Sequence, residues 1–243
     1  MSLFTDGPAA TIESLREYET SILDVASTEG IDLAVKLTVA HRETGIDLEA
    51  FLDEQGGATL ANVVVTAPLA LWETFRTLVL AFRDAYHNQM NDRYEPKWRE
   101  YERRAAWASD VLFQLGVGVT WSPVPKAGRP VLMVGSGDSA AAAYYVCATW
   151  VGANGEEGAP SDMAVASAPD ASSVTVRIDG PAPAGMQGWR VYAGREASRM
   201  MLQTETPVAP GAAWSVPAAG LMEGRLPGGG QLPQAMLKRV PRF

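Results

Sequence analysis

The periodicity of the apolar residues changes once along this chain, near Leu115. Before that point they recur at steps of three and four, which is typical of helices with one buried face. After it comes GVGVTWSPVPKAGRP, rich in glycine and proline, and then short alternating segments bounded by turn residues. We therefore predict an α+β multidomain chain: an all-α helical bundle over residues 1–118, a linker over 119–130, a small all-β sandwich over 131–219 and an extended C-terminal arm over 220–243.

The helical part is predicted to begin with short acidic helices and to end with two long ones. Apolar residues spaced for a helix run over residues 11–26, Asp32 can cap a second helix, and Gly45 is expected to separate that helix from a third. The strongest apolar stripes lie over residues 66–86 and 92–115. We expect these last two helices to pair antiparallel.

The second half contains short alternating segments typical of a sandwich of two sheets. In AYYVCATWV, alternate residues including Tyr144 fall on one face of a strand, and later segments such as GWRVY continue the pattern. We predict that Tyr144 and Trp189 lie in the core. Cys147 is the single cysteine, so an intramolecular disulfide is excluded and the sandwich must be held by packing.

Charge is distributed unevenly along the chain, whose net charge is −8. Residues 1–65 hold twelve acidic and three basic residues, residues 66–125 hold seven of each, and residues 126–243 hold nine acidic and ten basic. Nucleic-acid affinity depends on neutralising phosphates with Lys and Arg. We therefore expect no specific nucleic-acid binding.

No segment predicts insertion into a membrane. The most apolar stretch, VVVTAPLALWETF, is interrupted by Glu73 and followed by Arg76, well short of a membrane span. The N-terminal sequence MSLFTDGP has no basic run followed by an apolar block, so we expect no signal peptide.

The chain offers little that predicts catalysis. GSGDSA, from Gly135, has glycines that could bring backbone N–H groups to a pyrophosphate, but no amphipathic helix is predicted after it, which favours a loop. His41 and His87 have no metal-ligand spacing, although His87 could share a hydrogen bond with Asp84. The acidic residues of the first helices are interpreted as solvated faces. We expect no enzyme activity, no cofactor and no metal.

The sequence NDRYEPKWREYERRA interleaves basic, acidic and aromatic residues. The acidic residues argue against a nucleic-acid surface, and two interpretations stay open: a helix studded with exposed ion pairs, or a protein interface, where Arg and aromatic residues are enriched. The candidate interface residues in this stretch are Arg93, Lys97, Arg99, Arg103 and Arg104.

The predicted arm is too rich in Gly and Pro for a core element, but its end is apolar and basic. We expect it to be mobile in the monomer and to order against a neighbouring subunit or another partner. Its candidate anchors are Leu237, Val240 and Phe243, with Lys238, Arg239 and Arg242 meeting an acidic surface. A disordered tail without function is the alternative.

Two resemblances bear on function. YYVCATWVGANGEEGAPS, followed by VTVRIDGPAPAGMQGWRVYAG and MMLQTETPVAPGAAWSVP, resembles the fibronectin-III or immunoglobulin-like (Ig-like) modules of tailed-bacteriophage structural proteins. The shared features are the Tyr-x-Val-x-Ala strand leading into Asn-Gly-Glu and Ala-Pro-Ser, and the Gly-Trp-x-Val-Tyr strand. The helical half, with LAFRDAYHNQMNDRYEPKWREYERRA, looks like phage head–tail connector or adaptor (neck) proteins.

These resemblances imply a structural virion protein made in the host bacterial cytoplasm and located in the virion neck. They imply a homo-oligomeric ring, a dodecamer, that docks on the phage portal protein, contacts the next neck or tail protein and lets DNA pass. One alternative is a collar or decoration protein whose Ig-like domain binds host surface glycans. A nucleotide-binding oxidoreductase is the enzymatic alternative.

Overall fold

The computed structural model describes residues 1–89 and 92–239 and divides the chain into two compact units. The helical unit consists of Phe4–Trp121 with the described residues from Pro233 onward. The strand unit consists of Met1–Leu3 with Ser122–Leu232. The helices of the N-terminal half and the antiparallel sheets of the C-terminal half confirm the α+β class.

The described residues of the helical unit contain five α-helices. They are α1 (Ile12–Tyr18), α2 (Ile22–Glu29), α3 (Leu33–Gln55), α4 (Ala67–Gln89) and α5 (Glu95–Leu115). The α4–α5 pair makes the most extensive contact in the unit, and α1, α2 and α3 also pack on α4. Large aromatic and aliphatic side chains fill the space around α4, among them Trp72, Phe75 and Leu78.

Two helix boundaries differ from those predicted. The segment predicted as one helix over residues 11–26 is broken at Glu19, whose backbone is extended between α1 and α2. Gly45, predicted to end a helix, lies inside α3. A β-carbon at Gly45 would lie 3.3 Å from the Phe4 ring, so the glycine permits close packing within a continuous helix. Asp32 caps α3 as predicted, through Ala34 N and Val35 N.

The strand unit contains two antiparallel sheets. One has the order β2–β5–β8, formed by Val131–Ser139, Ser172–Arg177 and Trp214–Ser215. The other has the order β4–β3–β6–β7, formed by Ala164–Ala168, Ala142–Gly152, Met186–Gly194 and Met201–Leu202. Alternate residues of β3 and β6 face a common hydrophobic core with residues of β5. Tyr144 and Trp189 both lie in that core, as predicted.

The C-terminal residues differ from the predicted arm. Ala235–Leu237 forms a strand, β9, that pairs antiparallel with β1 (Val117–Val119) in the helical unit. The residues before Pro233 lie in the strand unit, where Gln231 donates to the Ser122 carbonyl and accepts from Val124 N–H. Backbone pairing satisfies polar groups that a free arm would leave to water. The described part of the segment is therefore ordered within its own chain.

Removing the buried Trp189 side chain should unfold the strand unit more easily. Trp189 is 1% exposed, and Trp189→Ala is expected to cost about 3–5 kcal/mol, the range for deleting a large buried aromatic. Denaturant dependence of amide hydrogen exchange in β3 and β6 measures this loss in the full chain. Trp121→Ala, at a site 53% exposed in the helical unit, is the control and should leave that exchange unchanged. A loss below ~1 kcal/mol for Trp189→Ala would contradict the assignment.

Candidate interface surfaces

Two of the candidate interface cations bind buried glutamates inside the helical unit. Arg93 Nη2 lies 3.0 Å from Glu29 Oε1, which also accepts a hydrogen bond from the Tyr94 hydroxyl. Lys97 Nζ lies 2.6 Å from Glu19 Oε2. Glu19 follows α1 and Glu29 ends α2, whereas Lys97 lies in the first turn of α5 and Arg93 lies just before it. The two pairs therefore connect the first two helices with the beginning of α5. Arg93 and Lys97 therefore make contacts within the helical unit.

Glu19 lies at the centre of a polar network below the surface. Its carboxylate accepts hydrogen bonds from the Ser21 hydroxyl, the Tyr101 hydroxyl and Lys97. Burial alone would raise the pKa of Glu19, but these hydrogen bonds and the Lys97 charge outweigh it and hold the pKa below its ordinary value. Burial, with the nearby Glu19 charge, raises the pKa of Tyr101. Glu19 is thus ionised and paired at neutral pH.

The prediction that the early acidic residues form solvated faces is wrong for Glu19 and Glu29, which are each 7% exposed. The sequence contained one signal for Glu29. It lies seven residues after Ile22 and three after Ala26, and these two are the other buried residues of α2. A carboxylate on an apolar helix face predicts a buried partner.

The remaining basic residues of the stripe lie on the outer surface of α5. Arg99 pairs with Glu95 and Glu102, and Arg104 pairs with Glu100. Exposed pairs of this kind contribute little to stability. Arg103 is exposed and forms no ion pair with any residue that the structure describes. Trp107, one helical turn further on, is 55% exposed. Arg103 and Trp107 form the surface that we call the α5 ridge.

Beside α5 runs a groove of about 380 Å³ between α3 and α5. Its floor is aromatic, with Phe51, Trp72 and Phe113. The small side chains that line it are Ala50, Ala105, Ala106 and Ser109. The charged residues along its rim are Asp47, Glu54, Arg76 and Arg239. We call this the α3–α5 groove.

Of the predicted C-terminal anchors, only Leu237 lies within the described residues. It is half-buried in β9 and packs against the core of the helical unit. Arg239, two residues further on, places its guanidinium 4.3 Å from the Phe113 ring centre. Val240 and Phe243 lie outside the residues that the structure describes, as does Arg242. Leu237 is therefore engaged within its own chain.

A large part of the remaining surface of α1–α3 is acidic. Eight carboxylates there are exposed, namely Glu13, Glu17, Asp24, Asp32, Asp47, Glu49, Asp53 and Glu54. Arg16 and Arg42 are the exposed cations of the same segment. We call these eight carboxylates, which are distributed over three helices and around α3, the acidic face. The sequence alone predicts its negative charge. Which carboxylates remain exposed depends on which acidic residues the cations in and before α5 pair with.

The glycine motif and the histidines lie in structural positions. Gly135 and Gly137 belong to β2, and β3 follows them directly, so no helix N-terminus faces the motif. A β-carbon at Gly137 would lie 2.7 Å from Ser172 O. The predicted loop is therefore a strand in which glycine permits a close approach to β5. His41 Nδ1 lies 3.1 Å from Glu73 Oε2, and Asp84 pairs with Lys36, not with His87.

Glu73 fixes the N-terminal segment of the helical unit. The carboxylate is fully buried on α4, and its Oε1 accepts hydrogen bonds from Ala9 N–H at 2.7 Å and Ala10 N–H at 3.3 Å. His41 also stacks on Phe4, with ring centres 4.1 Å apart. A glutamate within an otherwise apolar run was the sequence signal for this contact.

A further carboxylate network, around the half-buried Glu157, lies in the strand unit and was not predicted. Glu157 binds Arg190 and Arg225 and accepts hydrogen bonds from the hydroxyls of Thr149 and Tyr192. Burial alone would raise the pKa of Glu157, but the Tyr192 and Arg190 hydrogen bonds and the two arginine charges lower it. Arg225 attaches residues of the predicted arm to the four-stranded sheet.

Comparisons with known protein families, with curated proteins and with solved structures each found no match to this chain. Within residues 1–89 and 92–239, no helix is both long and apolar enough to cross a membrane. The same residues contain no cluster of three or more His, Cys, Asp or Glu side chains that could hold a metal ion.

The Glu19 network should make the helical unit sensitive to acid. Because the folded-state pKa of Glu19 is lowered, its contribution is complete above the ordinary carboxyl pKa and is lost as the pH falls through the lowered value. Glu19→Gln should cost about 1–3 kcal/mol at neutral pH and reduce the acid sensitivity. Urea unfolding followed by helical circular dichroism at neutral and acidic pH measures both effects. Glu17→Gln, at an exposed neighbour, is the control. Equal pH dependence in the Glu19→Gln and unsubstituted proteins would contradict this account.

Proposed function

We propose that this protein is a structural component of a tailed-phage virion, a head–tail connector or adaptor. In this role it forms a ring under the portal, joins capsid to tail and lets DNA pass. The acidic face is the observation that carries the proposal. A surface of exposed carboxylates repels phosphates, so a duplex can move along it without being held.

The strand unit fits an outward-facing module of the Ig or fibronectin-III type. Its sheets of three and four strands share one core, the arrangement of such sandwiches. Burial raises the pKa of the Cys147 thiol to about 11, so this cysteine is an inert core residue. A sandwich held by packing alone suits a protein assembled in a reducing bacterial cytoplasm.

The proposed partners are other copies of this chain, the portal protein and the next neck or tail protein. We propose a dodecameric homo-oligomer located in the virion neck, with no enzymatic role. The helical unit is the assembly domain in this proposal. Its internal ion pairs give it a fixed shape before any partner is present, and its outer α5 surface stays available.

One observation separates this proposal from a glycan-binding collar protein. Glycan recognition by the strand unit favours exposed aromatic side chains. All residues of Ser122–Leu232 are described, and none of their aromatic side chains is exposed; Trp214 and Tyr145 are half-buried and the others are buried. The strand unit therefore gives more support to a structural role than to glycan binding.

Reversing the acidic face should convert a surface that repels DNA into one that binds it. A variant carrying Glu13→Lys, Glu17→Lys, Glu49→Lys and Asp53→Lys is expected to retain duplex DNA at low salt and release it as salt increases. The unsubstituted protein should retain none. Electrophoretic mobility shift over a salt series measures the difference.

A control variant separates the location of charge from its total. Asp138→Lys, Asp170→Lys, Glu196→Lys and Glu205→Lys change the net charge equally, at exposed positions of the strand unit. This variant should bind DNA much more weakly. Equal DNA binding by the two variants would show that net charge alone matters and would contradict a role for the acidic face.

A further inference from the structure

We propose that two copies of this chain associate in solution through the exposed side of α3, each helix pairing antiparallel with the same helix of the other copy. The surface involved is a stripe of six residues that we call the α3 stripe: Val35, Val39, Arg42, Ile46, Glu49 and Asp53. This dimer is separate from the ring of the proposed function and does not depend on it.

The α3 stripe is spaced for contact with another helix. Its members follow one another at steps of four, three, four, three and four residues, the alternation of a seam between two helices. The buried residues of α3, such as Leu37, Leu48 and Phe51, lie on the opposite side of the helix. The outer side of a surface helix is normally polar, but here Ile46 is 60% exposed and Val35 is 51% exposed. The helix therefore has an outward seam with apolar members as well as its buried side.

The charged members of the stripe are ordered so that α3 complements itself. Arg42 and Glu49 lie about 5 Å along the helix on either side of their midpoint, which falls next to Ile46. Seen along the helix axis, both lie to the same side of Ile46, at about 40° and 60° from it. A two-fold axis at the midpoint therefore brings Arg42 of each copy level with Glu49 of the other, with Asp53 one turn further on. The same axis packs the two Ile46 side chains against each other.

This charge order selects both the orientation and the partner. In a parallel pair, Arg42 would meet Arg42 and Glu49 would meet Glu49, and like charges in contact disfavour association. The antiparallel pair joins each guanidinium to a carboxylate, twice by symmetry, as a self-complementary contact requires. Arg42, Glu49 and Asp53 are exposed and form no ion pair with any residue that the structure describes, so the contact breaks none of the described pairs. A second copy of α3 supplies the required base and acid in the required order.

The dimer occupies part of the acidic face. Glu49 and Asp53 belong to both surfaces, so one copy cannot bind a second copy with them and present them to DNA at the same time. A two-fold contact closes after two copies and does not build a ring. The dimer therefore belongs to the free protein, and copies in the proposed ring would have their α3 helices separated.

Charge reversal in the full chain tests the pairing. Sedimentation velocity over a dilution series should show that the unsubstituted protein forms a dimer that dissociates on dilution. Arg42→Glu alone and Glu49→Arg alone each convert both interchain pairs into like-charge pairs, so each variant should dimerise at least about tenfold more weakly. Both changes in one chain should restore dimerisation, as should an equimolar mixture of the two single variants. Arg16→Glu, at an exposed cation of α1, is the matched control and should dimerise normally; circular dichroism confirms that each variant folds.

Disulfide trapping locates the two-fold axis. Ile46→Cys places the two introduced thiols together, so mild oxidation should link the chains in pairs. Val35→Cys, at another exposed position of the stripe, is the control, because its two thiols would lie about 30 Å apart along antiparallel helices and should not link. A parallel pair would link at both positions. Cys147 is 2% exposed and does not compete for oxidation.

Several outcomes would overturn the inference. They are a protein that stays monomeric at every concentration, a dimer that both single charge-reversal variants form equally well, and a double variant that stays as weak as the single ones. A dimer that survives the changes in α3 but is lost in Trp107→Glu would place the contact on α5 instead. Binding to portal-containing particles, measured separately, tests the proposed function. Its absence would remove the connector role and leave the α3 dimer standing.

Discussion

The helical unit depends on the enclosure of α4 by the other four helices. Its apolar residues are covered by α5 on one side and by α1, α2 and α3 on others. Arg83 and His87 of α4 are exposed, but a polar group on the enclosed sides of the helix has no access to water and must find a partner. Glu73 does so by accepting the backbone N–H groups of Ala9 and Ala10, which attaches the N-terminal segment to the centre of the bundle.

The buried glutamates connect this packing with the charge of the surface. Residues 66–125 hold equal numbers of basic and acidic residues, after an acidic start of the chain. In the structure, Arg93 pairs with the buried Glu29 and Lys97 pairs with the buried Glu19. Arg99 and Arg104 pair with acidic residues of α5 itself. Of the exposed carboxylates of α1–α3, Asp47 pairs with Arg76 of α4. In the proposed function, the acidic face is the surface that repels DNA.

Local pattern predicted much of this fold. Strong periodic stripes predicted α4 and α5, and alternation predicted the core positions of Tyr144 and Trp189. The failures involve long-range contacts. Gly45 lies inside α3, where the Phe4 ring packs against it. Strand β9 forms by pairing with β1, which lies more than a hundred residues earlier in the chain. Helix propensity and local periodicity contain no information on such partners.

The candidate surfaces were predicted less completely, for the same reason. The basic stripe was visible in the sequence, but its ion pairs depend on tertiary structure. Among the described residues Arg103 forms no ion pair, and it is exposed beside Trp107. The α3–α5 groove combines residues from three helices and the C-terminal segment, so no single stretch of sequence indicates it.

The proposed connector role is tested by electron microscopy of the purified protein mixed with a phage portal protein, with mass determination of the complex. A connector would appear as a ring of copies of this chain attached at the portal. Portals that carry no added density, even at high protein concentration, would contradict the proposed role as a head–tail connector.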